Sequence, residues 1–128
     1  MDFIQASVLF YAKRMKLRVR SEDIVPIGLP LQAYFPALGA AIETGGYGED
    51  GGGRKNLNLH RELMKNALCR KYGILLIRII RESEAAYNDG SCPCILIDGE
   101  TSENVREALF IAFNDRLCAK TQWRYCLK

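Results

Sequence analysis

No stretch of this chain is both long and uncharged. A membrane-spanning helix needs roughly 20 apolar residues in succession, and the most apolar run, YGILLIRIIR, is cut by Arg78 and bounded by Gly73 and Arg81. A basic leader ahead of an apolar centre is missing too. In MDFIQASVLFYAKRMK an acid stands at Asp2 and the cations follow the apolar part, so the segment does not read as a secretory signal and a cytoplasmic setting is expected. The five cysteines, Cys69, Cys92, Cys94, Cys118 and Cys126, are odd in number, which argues for thiols rather than a disulfide framework. Cys92, Cys94, Cys118 and Cys126 could supply four zinc ligands, but their spacing matches none of the paired knuckles, and reduced or buried thiols are the plainer expectation. Strong charge of one sign is also lacking. A net charge of +3 does not by itself announce a polyanionic partner.

What is there fits a single domain. The 128 residues are 48% hydrophobic and 26% charged, enough to bury about two thirds of the surface that the unfolded chain exposes. The cations are clustered: KRMKLRVR holds five of them in eight residues. Its second half alternates Lys16, Arg18 and Arg20 with Leu17 and Val19, which in an extended chain gives one basic and one apolar face. A solvated edge strand protected by charge and a phosphate-contacting stripe both fit that pattern.

The periodicity predicts a helix over Phe3–Met15, with Ile4, Val8, Tyr11, Ala12 and Met15 on its inner side. LRVRSEDIVPIG reads as a strand broken by Pro26 and Gly28, and LQAYFPALGAAIE as two extended pieces meeting in a turn at PALG. The tract TGGYGEDGGGRKN is too rich in glycine to pack and reads as a loop over a site or a plain connector. A second helix is predicted over His60–Tyr72, with Leu63, Ala67, Leu68 and Tyr72 as its inner face, Lys65, Arg70 and Lys71 elsewhere, and Gly73 as its cap. ILLIRII has the almost unbroken apolar character of a strand covered on both faces. CILID is a further short strand, and Thr101 or Ser102 caps a last helix with Val105, Leu109, Ala112 and Phe113 inward. The resulting order, α-β-β-β-α-β-β-α, implies an α/β fold: a meander, then a right-handed crossover into a mixed sheet flanked by helices.

The wording of two segments goes further. LMKNALCRKYGILLIRI, and less closely PLQAYFPALGAAIETGG, resemble the helix–strand and strand–strand segments of small PD-(D/E)XK nucleases of the very-short-patch-repair type. IQASVLFYAKRM and TSENVREALFIAFNDRL resemble that group's first and last helices, so the likeness spans nearly the whole chain. It implies a restriction-endonuclease-like sheet and a metal-dependent phosphodiesterase ancestry. Such hydrolysis uses a hard divalent cation, magnesium or manganese, held by oxygen ligands, with a lysine that orients the attacking water.

This chain departs from the family's pattern at two of its three signature positions. The resemblance places the first metal-binding aspartate on Gln32, keeps the glutamate as Glu43, and puts the lysine of the triplet on Gly45. Glu62 and Lys65, one turn apart on the second helix, are the candidate replacements, with an ordinary surface ion pair as the plainer reading. Glu43 and Glu62 are thus the expected metal ligands, Lys65 the water-orienting residue and Gln32 a residual neutral ligand. Taken alone, Glu43 reads as the point where a buried strand surfaces. Glu49 and Asp50 in the glycine-rich tract are weaker oxygen donors. Lys16, Arg18, Arg20, Arg54, Lys55 and His60 are the candidate nucleic-acid contacts, although a lone histidine near a helix start is more often a surface residue. Trp123 is expected to pack against the last helix rather than stack on a base.

Two signature losses point toward impaired hydrolysis, with nucleic acid, DNA foremost, as the partner and magnesium or manganese as the cofactor of any surviving activity. A catalytically dead homologue that binds DNA or protein within a larger assembly, or a second copy of itself, is the alternative.

Overall fold

The computed structural model describes residues 3–44, 55–81, 92–97 and 102–113. Helix α1 (Phe3–Arg14) is followed by β1 (Arg20–Asp23), β2 (Leu31–Phe35) and β3 (Ala40–Thr44). Then come α2 (Lys55–Lys71), β4 (Leu75–Arg81), β5 (Cys94–Ile97) and α3 (Ser102–Phe110). The order of elements is the expected one, and the fold is α/β. The strands form one sheet in the order β1-β2-β3-β4-β5. β1, β2 and β3 are antiparallel neighbours, whereas β3, β4 and β5 run parallel, so the sheet is mixed.

The turn between β2 and β3 is the one that PALG implies. Leu38 and Gly39 donate their backbone N–H groups to the Phe35 carbonyl at 3.1 and 3.0 Å, and Gly39 adopts φ +61°, a conformation open to glycine at no steric cost. The basic alternation also survives, although regular pairing begins only at Arg20. Lys16, Arg18 and Arg20 are exposed, Leu17 is buried and Val19 half-buried.

Each interior strand sends alternate residues to opposite faces. On one face Ala33, Phe35, Ala40, Ile42, Ile77, Ile79, Ile95 and Ile97 form the main core with Ile4, Val8 and Ala12 of α1 and Val105, Ala108 and Leu109 of α3. Phe113, just past α3, closes this layer against Phe35 and Tyr11, with ring centroids 5.9 and 5.0 Å away. The inner faces expected for the first and last helices are therefore the observed ones. On the other face Ala41 and Leu76 meet Cys69 of α2 in a smaller apolar cluster that Ile27 and Leu31 join.

Helix α2 departs from expectation in two ways. It begins at Lys55, so Lys55 and Asn56 of the tract read as loop are helical; neither proline nor glycine interrupts the chain from there to the end of the helix. More consequentially, from Leu59 onward its buried residues are Glu62, Lys65, Asn66 and Cys69, while Leu63 and Leu68 are only half-buried and Ala67, with Tyr72 just past the helix, is exposed. Spacings of three and four put those four buried residues on one face. The apolar stripe loses because the strands beneath α2 present charges that need partners.

Candidate functional site

The charges come from neighbouring positions on two parallel strands. Glu43 of β3 and Arg78 of β4 are directly paired in register, so their side chains share the face toward α2. β3 does not surface at Glu43 as single-strand reasoning suggests: all five of its residues are buried, and Glu43 itself is 1% exposed. Nor are Glu62 and Lys65 an exposed pair. They are 3% and 5% exposed and lie against the two strand charges. A strand interior too apolar for a lone charge and a helix carrying matching charges explain each other.

Lys65 Nζ lies 3.0 Å from Glu43 Oε1 and 3.4 Å from Glu62 Oε2, so one ammonium bridges carboxylates from a strand and a helix. Arg78 uses all three guanidinium nitrogens. Nε donates to Asn66 Oδ1 at 2.7 Å, Nη1 to Glu62 Oε1 at 3.0 Å, and Nη2 to the Glu62 backbone carbonyl at 3.0 Å. The fork thus fixes one turn of α2 over β4, with the planar, multi-donor geometry that lysine lacks.

Gln32 sits at the rim of this cluster. Its backbone N–H donates to Glu43 Oε2. Its side-chain amide behaves like a peptide group from a neighbouring strand: Oε1 accepts from Thr44 N at 2.9 Å and Thr44 Oγ1 at 2.8 Å, and Nε2 donates to the Thr44 carbonyl at 3.2 Å. Gln32 therefore secures the ends of β2 and β3 while its main chain holds the carboxylate in place.

Every carboxylate oxygen in the cluster faces a nitrogen donor. Glu43 is held by Lys65 and by the Gln32 N–H, and Glu62 by Arg78 and Lys65, with Arg61 Nε at 3.7 Å from Oε2. Two carboxylates and two cations sum to zero formal charge. Magnesium takes a near-octahedral shell of oxygens and sheds its water reluctantly. This donor set does not fit it as arranged: a cation would have to displace Lys65, and Arg78 would still offset one of the two carboxylates. Among the described residues no group of three or more His, Cys, Asp or Glu side chains gathers to hold a metal.

Burial pushes the Glu43 carboxyl above its ordinary value, against the opposing pull of Lys65 and the Gln32 N–H; Glu62 adds to the rise. The short ion pair and the upward shift point in different directions. Burial outweighs the pair, because the side chain is almost wholly removed from water. A carboxyl that resists ionisation is a still poorer cation ligand. Cys69, on the inner face of α2, is pushed up to about 12 by burial and then by Glu43, so its thiol stays protonated and inert near neutral pH.

The structure thus brings Glu43, Glu62, Lys65 and, through its main chain, Gln32 together. It adds Arg78 and Asn66, which sequence reasoning passed over. The signal for Arg78 was present: a lone charge inside an otherwise unbroken apolar strand must find a buried partner. Among the candidate nucleic-acid contacts, Lys16, Arg18, Arg20 and His60 are exposed, and His60 lies inside α2 rather than at its start. Lys55 opens α2. Gly45, Glu49, Asp50, Arg54, Cys118, Trp123 and Cys126 lie outside the described residues, whereas Cys69 is a free, buried thiol and Cys92 and Cys94 are half-buried. No described helix is long and apolar enough to cross a membrane.

No protein-family model, curated protein or solved structure matches the chain.

Proposed function

We propose that this chain is a nucleic-acid-binding protein of the PD-(D/E)XK nuclease-like kind, in which the notch that would hold the catalytic cation is filled by its own lysine and phosphodiester hydrolysis is impaired. The observation that carries the proposal is Lys65 Nζ, within 3.4 Å of both Glu43 and Glu62 and bridging them. In a working site of this chemistry the carboxylates present negative charge to a divalent ion, and the lysine faces the attacking water. Here Glu43, Glu62 and Lys65 pair with one another between β3 and the inner face of α2, and Arg78 completes the neutral set. The restriction-endonuclease-like topology and DNA as the main ligand rest on the resemblance together with the exposed cations Lys16, Arg18 and Arg20.

The test separates binding from cleavage. Filter binding to duplex DNA is expected to weaken as salt rises, and to weaken further when Lys16, Arg18 and Arg20 are changed to alanine. Supercoiled plasmid should remain intact with magnesium and with manganese, and calorimetric titration of manganese should show no heat of binding. A second reading, residual metal-dependent nicking, draws on the convergence of two carboxylates from different elements on one point. Manganese-stimulated nicking that disappears in Glu43→Ala would establish that reading in place of the first.

A further inference from the structure

The two longest helices end in the same hydrogen-bonded motif with different residues at its left-handed position. At the end of α2, Gly73 adopts φ +72°; its N–H donates to the Arg70 carbonyl at 3.3 Å, and Ile74 N–H donates to the Cys69 carbonyl at 2.8 Å. At the end of α1, Lys16 adopts φ +58°; its N–H donates to the Lys13 carbonyl at 3.0 Å, and Leu17 N–H donates to the Ala12 carbonyl at 2.9 Å. Both are Schellman caps, and glycine suits that position because it takes positive φ without steric cost. The fold gains nothing evident from a lysine there. Lys16 is exposed, and among the described residues no carboxylate lies within ion-pair distance of it.

Lys16 belongs to a larger surface. Phe10, Lys13 and Arg14 are all exposed, and their spacing puts them on one side of α1. Phe10 is 62% exposed, second to Val25 at 78% among the described large hydrophobic side chains. Lys13, Arg14, Lys16 and Arg18 have no acidic partner among the described residues, whereas Arg20 pairs with Asp23 at 3.5 Å. An exposed ring on the same side of α1 as Lys13 and Arg14, with Lys16 and Arg18 exposed in the segment that leaves the helix, complements a ligand with flat apolar faces linked by negative charges.

We propose that the outer face of α1 and the segment leaving it bind a single-stranded polynucleotide, Phe10 stacking on a base while Lys13, Arg14, Lys16 and Arg18 neutralise the adjoining phosphates. The inference rests on the nucleic-acid reading above and adds to it a location and a strandedness. Bases in a duplex stack on one another and offer no free face to a surface ring, whereas every base of a single strand does.

The full chain is titrated, by fluorescence anisotropy, into labelled oligothymidylate and oligouridylate of about 20 nucleotides, long enough for such a site, and into a duplex of the same length. Four phosphate contacts on a single strand give a slope of about −2.8 for log K against log salt. Phe10→Ala should weaken binding to the single strands roughly 5- to 100-fold and leave duplex binding unchanged. The two oligomers distinguish DNA from RNA, since only the second offers a 2′-hydroxyl. Lys16→Gly should make the slope shallower by about 0.7 while raising Tm by about 3 °C, because it relieves the left-handed position. Duplex binding as tight as single-strand binding, or indifference to Phe10→Ala, overturns the inference and leaves the nucleic-acid reading standing. Salt-sensitive binding to no polynucleotide of any kind removes both.

Discussion

On one face of β3 and β4, Ala40, Ile42, Ile77 and Ile79 meet α1 and α3 in a dry apolar layer; one residue along each strand, on the other face, Glu43 and Arg78 meet Glu62, Lys65 and Asn66 of α2. Both layers are closed to water, but they respond differently to change. Apolar packing is graded, each methyl contributing in proportion to the area and volume it fills. The charged layer is close to all-or-none, because removing one partner leaves another buried and uncompensated. A stability-driven design has little reason to build the second layer, since well-packed apolar residues of similar volume often serve as well or better. The charged face is therefore the part of the molecule that stability alone does not account for.

The largest effect should come from breaking that face at its hub. Arg78→Met leaves Glu62 without its guanidinium and Asn66 without its donor, and should cost about 3–5 kcal/mol in urea unfolding. Replacing the whole set at once, with Glu43→Leu, Glu62→Leu, Lys65→Met and Arg78→Met, should be neutral or stabilising by about 1–4 kcal/mol. A quadruple variant less stable than Arg78→Met alone would show that the two faces obey the same rule. On the apolar face Ile77→Val should cost only about 0.5–1.5 kcal/mol, with the same value at every pH, since no titrating group touches the change.

The same contrast decides what could be read without coordinates. The inner faces of α1 and α3 were legible, because apolar side chains at three- and four-residue spacing have one way to face a sheet, although α1 stops at Arg14, one residue short of Met15, and α3 at Phe110. The meander and its turn were legible in PALG for a similarly local reason. Helix α2 was not: its half-buried Leu63 and Leu68 mimic an inner face, while Glu62, Lys65 and Asn66 are buried by charges that arrive from strands up to 22 residues away in sequence. Pattern reasoning scores a buried lysine as a solvated one, and only the pairing of Glu43 with Arg78 across two strands corrects it. The convergence of Glu43, Glu62 and Lys65 followed from the family resemblance rather than from periodicity. Asn66 gave no signal at all, since an asparagine in mid-helix reads as exposed.

The smallest effect is a change of slope rather than of level, and it tests the charged face where burial and pairing compete. Glu43 ionises in the unfolded chain at an ordinary carboxyl value but above that value in the folded protein, because burial outweighs the attraction of Lys65 and the Gln32 N–H. Its contribution to stability is thus complete below the unfolded value, where both states keep the proton. As pH rises the unfolded chain releases its proton first, and the contribution is lost until the folded value has been passed. Glu43→Gln keeps the shape and cannot ionise, so wild type should lose stability relative to this variant as pH climbs from the carboxyl range toward neutrality. Urea unfolding of both proteins across that range measures the difference directly. If wild type instead gains on the variant with rising pH, the ammonium of Lys65 outweighs burial, Glu43 is a true anion in the folded state, and the notch is closer to a cation site than a protonated Glu43 would leave it.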